Sequence, residues 1–127
     1  MPTALTEGIR VSVEATYLAD RSAPEEGSYA FAYTVTIENE DAPRAQLRRR
    51  HWIITDGNGH VEEVEGPGVV GQQPTLARGE AHRYTSGAVL ATPFGTMEGT
   101  YEMHTEGGRL FKARIPRFSL QVPGILQ

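Results

Sequence analysis

The sequence predicts an all-β protein, a single sandwich of about seven to eight antiparallel strands. Three observations carry this. Tyr29, Phe31, Tyr33, Val35 and Ile37 alternate with Ala30, Ala32, Thr34, Thr36 and Glu38, the period of two expected of a half-buried strand rich in aromatic and β-branched residues. Glycine (14) and proline (8) interrupt the chain every few residues, so few stretches could hold a helix and none has a 3.6-residue period. Asp56-Gly57-Asn58-Gly59 lies between two β-prone runs, where residues that accept positive φ close a hairpin.

The elements follow in order. Residues 1–8 read as a flexible lead-in. The first strand runs from Ile9 to Tyr17, with Ile9, Val11, Val13 and Ala15 on one face. A polar loop leads to the strand from Ser28 to Asn39. The next strand spans Gln46 to Asp56. Its start lacks Gly and Pro, but Trp52-Ile53-Ile54-Thr55 and the turn behind it favour β over helix. Its hairpin partner is His60 to Glu65, followed by a loop from Gly66 to Arg78. Ala81 to Ala91 is a strand with an expected bulge at Gly87. Gly99 to Thr105 pairs through Glu106-Gly107-Gly108 with Arg109 to Ile115. Pro116 ends that strand, and Phe118, Leu120 and Val122 continue an edge. One domain over residues 1–127, with this strand count, matches an immunoglobulin-like sandwich.

Composition narrows the chemistry. With no cysteine, disulfides, zinc–thiolate sites and thiol catalysis are excluded. The N-terminus lacks a basic start followed by an apolar run, and no apolar stretch nears the ~20 residues that span a bilayer. No membrane insertion is therefore expected. A net charge of −4 argues against general nucleic-acid binding. Lys112 is the single lysine, which leaves little room for lysine-based phosphate chemistry.

The candidate sites cluster between Arg48 and Pro74. Gly66-Pro67-Gly68-Val69-Val70-Gly71 spells GxGxxG. A dinucleotide fingerprint needs a strand before it and a helix opening inside it, and Gly71-Gln72-Gln73-Pro74 propagates a helix poorly. The loop reads as a turn, with an anion nest of N–H groups as the alternative. Strict alternation places Arg48 and Arg50 on the face of Trp52 and Ile54, and Arg49 with Leu47, His51 and Ile53. Two arginines on one face suit phosphate or carboxylate. His51, His60 and Asp56 form a candidate metal set near the hairpin. A turn centred on Asn58 nevertheless pairs His51 nearer Glu65 than His60. Ser86 lacks the G-x-S-x-G context of an activated nucleophile. No catalytic residue and no cofactor are expected.

Three readings follow. The first is a non-enzymatic binding module with a protein partner. The second is a small-anion protein that binds pyrophosphate, a nucleotide or another phosphate-containing molecule through Arg48, Arg50, Gly66, Gly68 and Gly71. The third is a divalent-cation sensor built on His51, His60 and Asp56.

The ordered segments Ile54-Thr55-Asp56-Gly57-Asn58-Gly59, Glu63 to Pro74, Tyr84-Thr85-Ser86-Gly87, Thr92 to Met97, Gly99 to Met103 and Ile115-Pro116-Arg117-Phe118 resemble the bacterial ApaG family. The likeness runs from about Ile9 onward and departs at Arg78-Gly79, where the family often has Pro-Gly. It implies a fibronectin type III-like sandwich and a cytoplasmic location. It also implies an association with cobalt resistance and magnesium efflux. Related domains occur in F-box proteins and in a DNA polymerase δ-interacting protein, where partner binding is the expected role. The resemblance carries over no catalytic residue.

Overall fold

The computed structural model describes residues 1–124. It has nine strands in two antiparallel sheets: β1 (Thr3–Thr6), β2 (Ile9–Tyr17), β3 (Tyr29–Asn39), β4 (Ala45–Asp56), β5 (Val61–Pro67), β6 (Thr75–Leu76), β7 (Ala81–Leu90), β8 (Phe94–Thr105) and β9 (Leu110–Gln121). Two single turns of 3-10 helix fill the loop after β2. One sheet has the order β1-β2-β3-β7, and the other β5-β4-β8-β9 with β6 also on β4. Among the described residues, no helix is long and apolar enough to cross a membrane.

The alternating faces behave as the period requires. Ile9, Val11 and Val13 of β2 and Phe31, Tyr33, Val35 and Ile37 of β3 are buried against Leu47, Trp52, Tyr101, Met103, Ile115 and Leu120 of the facing sheet. The Trp52 ring sits at the centre, with its centroid 5.2 Å from Tyr33, 6.0 Å from Phe118 and 6.4 Å from Tyr101. Edge-to-face arrangements of this kind add to the burial energy of each ring.

Several expectations are corrected. The lead-in instead supplies β1, which pairs with β2 from Thr3↔Ser12 to Thr6↔Ile9; four residues are too few to show a pattern. The Gly66–Arg78 loop is interrupted, because Gly66 and Pro67 extend β5 and Thr75–Leu76 forms β6. No bulge occurs at Gly87, where the β3–β7 register is unbroken. Register shifts lie elsewhere. One inserts Arg48 between Leu47↔Met103 and Arg49↔Glu102. The other places Pro116 and Arg117 of β9 opposite Glu98. Pro116 therefore does not end its strand. It lacks an N–H, and a bulge on an edge strand is where that loss is tolerated.

A polar residue locks the β3–β4 connection. Asn39 is fully buried. Its Nδ2 donates to the Leu76 carbonyl at 2.9 Å, and its Oδ1 accepts from the Ala42 N–H at 2.8 Å. Asn39→Ala leaves both backbone groups without their partner, so it should cost about 2 kcal/mol. Urea titration checks this: the midpoint should fall with an unchanged slope, and an unmoved midpoint would refute the lock.

Candidate functional site

The bulge at Arg48 decides how the basic run is used. Before it, Ala45 and Leu47 face the core; after it, Trp52 does. The extra residue reverses the phase of the strand. Arg48 and Arg50 therefore part company. Arg48 lies with Gln46, to which its Nε donates at 3.1 Å, in a surface hollow shared with Arg44, Thr75 and His104. Arg49 lines a separate hollow with His51, Thr100, Glu102 and Lys112. Arg50 turns toward the space between the sheets, beside Tyr33 and Trp52. The pairing of Arg48 with Arg50 on one face is thus replaced by Arg48 beside Gln46 and Arg50 beside Trp52.

The glycine loop is built around Arg50. Gly66 stands opposite Arg50 in the β4–β5 register, and the guanidinium lies so close that a Cβ there would meet it at 3.0 Å. Arg50 Nη1 donates to the carbonyls of Pro67 at 2.8 Å and Gly68 at 3.0 Å. The loop thus presents oxygens to a cation on this side. Its Gly68 N–H donates to the Arg48 carbonyl, while Val69 and Gln72 exchange N–H···O bonds of 2.8 and 3.0 Å. Val70 (φ 46°) and Gly71 (φ 76°) are the tight turn between them, with both central φ positive as in a type I′ hairpin. Gly68 also has positive φ, and any side chain there would run into the Gln72 carbonyl. The GxGxxG letters thus specify a strapped hairpin. The N–H groups of Val69 and Gln72 are already spent within the loop, and that of Gly68 on the Arg48 carbonyl of β4.

The proposed metal set is not assembled. His51 pairs opposite Glu65 and its Nε2 lies 2.7 Å from Glu63 Oε1. Asp56 Oδ1 accepts from the N–H groups of Asn58 and His60, which makes it a turn former. Among the described residues, no three His, Asp or Glu side chains converge on a metal position.

What the fold does assemble is a cleft. The sandwich is closed where β1 and β2 pack on β9. At the opposite side, β7 ends one sheet and β5 the other. Between them lies a cleft of about 350 Å³. Trp52, Ile54, Val64 and Met97 give it an apolar floor, Arg50 marks one end, and Ser86 to Val89 form the β7 wall. A continuation of the cleft holds Glu62, Asp56 and His60 against Val89 and Leu90.

Behind Arg50 lies a phenolic cluster. The hydroxyls of Tyr84 and Tyr101 are hydrogen-bonded across the two sheets. Burial foremost raises the pKa of Tyr33, Tyr84 and Tyr101. For each of them the charge of Arg50 is an opposing influence. Neither Tyr84 nor Val64 is among the candidate site residues read from the sequence. Alternation could have marked them as inward-facing, but not as neighbours of one opening.

A family model described as the ApaG domain matches residues 19–105. The chain belongs to the ApaG family. It is 56% identical over 118 residues to Protein ApaG of Pseudomonas aeruginosa, covering 93% of this chain and 94% of the relative. To Protein ApaG of Brucella anthropi it is 54% identical over 123 residues, covering 97% and 95%. The crystal structure of a putative ApaA protein from Bordetella pertussis superposes with a TM-score of 0.89 at 48% identity, covering 98% of both chains. The ApaG resemblance read from the ordered motifs therefore holds, and so does the sandwich.

Proposed function

We propose that this ApaG chain is a non-enzymatic interaction module that binds a protein partner in the cleft between β5 and β7. The observation that carries the reading is the open side of the sandwich. Two sheet edges flank an apolar floor with a cation at one end and carboxylates at the other. Concave, mostly apolar surfaces with a few oriented polar groups are where proteins hold ligands, and a peptide lying along a sheet edge uses such pockets for its alternate side chains. Val61, Val70 and Val89, on or beside these two edges, are more than half exposed. On this reading the family's association with cobalt and magnesium acts through a bound partner in the cytoplasm, and metal held by this chain plays no part.

Because the chain has no cysteine, a single V89C carries a benzophenone crosslinker without interference. In native lysate it should capture one discrete adduct. Placing the probe at Leu110, an exposed residue of β9, should not capture that adduct. Ala88→Arg fills the cleft and should abolish capture from position 89. Equal capture from Leu110, or capture indifferent to Ala88→Arg, would refute the assignment.

A further inference from the structure

The partner's mode of docking follows from comparing the four sheet edges. An unpaired edge is a template for another strand, and proteins blunt edges with short strands, charges, proline, bulges or cover. β1 is only four residues long. β5 carries Glu62, Glu63, Glu65 and Pro67. β9 has the Pro116 bulge, lies under β1 and β2, and donates its Arg114 N–H to Thr6 Oγ1 at 3.0 Å. β7 has none of these devices. It is ten residues long, has no proline, keeps an unbroken register with β3, and bears a single formal charge, Arg83.

The direction of its free groups is also settled. The Asn39 N–H donates to the Glu80 carbonyl at 2.9 Å, and Glu38 pairs with Ala81. In an antiparallel ladder, hydrogen-bonded and non-hydrogen-bonded pairs alternate. His82, Tyr84, Ser86, Ala88 and Leu90 therefore bond to β3. The N–H and C=O groups of Ala81, Arg83, Thr85, Gly87 and Val89 point to the free edge. A strand added there places alternate side chains in the cleft, over Trp52, Ile54 and Val64.

We propose that β7 accepts an extended partner segment by strand addition. The segment carries a carboxylate side chain at the Arg50 end, an apolar one at the centre and a basic one at the Glu62–Asp56 end. This rests on the cleft being the binding face. The charge pattern selects the occupant. Arg50 forms no ion pair with any described carboxylate, and Glu62 lines the other end of the same cleft. Arg50 and Ile54, the partner of Glu62 in the ladder, are four residues apart, about 13 Å along a strand. A second copy of this chain fits poorly. Pairing β7 with its twin about a two-fold axis brings two acidic β5 edges toward each other, on a protein of net charge −4.

The probe is the acetylated, amidated peptide Thr-Lys-Thr-Val-Thr-Glu-Thr, whose Lys, Val and Glu face one side and span the same four-residue step. Titrated into the 15N-labelled chain, it should shift amides of Arg83, Thr85, Gly87 and Val89 and those of Val61 to Val64. The version with Lys and Glu exchanged should bind at least fivefold more weakly in the antiparallel orientation. The decisive arm is N-methylation. Methylating one alternate set of peptide amides removes the donors that meet β7 and should weaken binding more than about tenfold, while methylating the other set is tolerated. Val89→Pro removes an outward N–H without breaking a bond to β3, so a variant with an otherwise unchanged amide spectrum should lose binding equally. If the peptide binds in the cleft but both methylated forms bind alike, strand addition is overturned and the binding cleft stands. If charge exchange has no effect, the assigned occupant is overturned. Shifts confined to surfaces away from β5 and β7, or no shift at millimolar peptide, overturn the proposal. The crosslinking result at position 89 then decides separately whether the cleft is a binding face.

Discussion

Trp52→Ala is expected to destabilise the protein by about 3–5 kcal/mol, the usual cost of truncating a buried aromatic side chain to alanine. Trp52 is 3% exposed and touches rings from both sheets: Tyr33 on β3, and Tyr101 and Phe118 on β8 and β9. Its removal leaves a cavity that rigid strands on either side cannot collapse into. Domains of this size have about 5–15 kcal/mol in total, so the variant should lie near the edge of folding. Trp52→Phe keeps most of the contacts and should lose much less. Circular dichroism in urea measures both, since the alanine variant has no tryptophan to follow. A midpoint for Trp52→Ala within error of the parent would show that the two sheets are not held through this ring.

Stability should also fall steeply above about pH 10, the ordinary tyrosine value. Tyr33, Tyr84 and Tyr101 all have raised pKa values, chiefly because burial disfavours the phenolate. The folded state therefore keeps three protons at a pH where the unfolded chain has released them. The stabilisation is complete below the unfolded pKa and is lost as pH rises through the folded ones. Each such tyrosine contributes a slope of up to about 1.4 kcal/mol per pH unit, roughly 4 for the three together. Urea titrations between pH 9 and 11.5 give the slope directly. Tyr84→Phe combined with Tyr101→Phe removes the bridging hydroxyl pair together, leaving neither hydroxyl orphaned. The slope should then shrink by about two thirds. An unchanged slope in the double variant would place the alkaline sensitivity elsewhere.

Much of the fold was legible in the residues. β2 was bounded to the residue, and β3 and β4 to within one, because their alternation is long and their turns carry glycine, asparagine or proline. β1 and β6 were missed because four and two residues cannot display a period. The two bulges were missed for a different reason. Alternation was carried through Arg48 from Trp52 backwards, whereas Leu47 and Trp52, both buried and five positions apart, are incompatible with one uninterrupted face. Pro116 reads as a stop because its missing N–H weakens a ladder. It sits instead in a register shift on an edge strand, where a missing donor is tolerated.

The candidate site was less legible. The glycine loop reads as a turn, which it is, and only in the alternative as an anion binder together with Arg50. In the structure Arg50 Nη1 holds the loop carbonyls. Asn39 reads only as the last residue of a strand, although its side chain holds the connection between the sheets. The cleft joins residues more than twenty positions apart, Trp52 and Val64 with Ser86 and Val89, and no local pattern links them.

The sequence by itself therefore determined the fold class, the positions of the long strands, the turns that separate them and the ApaG family. Those rest on local chemistry: a period of two, φ preferences and ordered motifs. Only the tertiary structure decided which way Arg48 and Arg50 point, that GxGxxG is a strapped hairpin, and that β7 is an unguarded edge beside an open cleft. Side-chain direction past a bulge and exposure of an edge both depend on which strand lies alongside. That is settled by burial of one sheet against the other, not by neighbours in the chain.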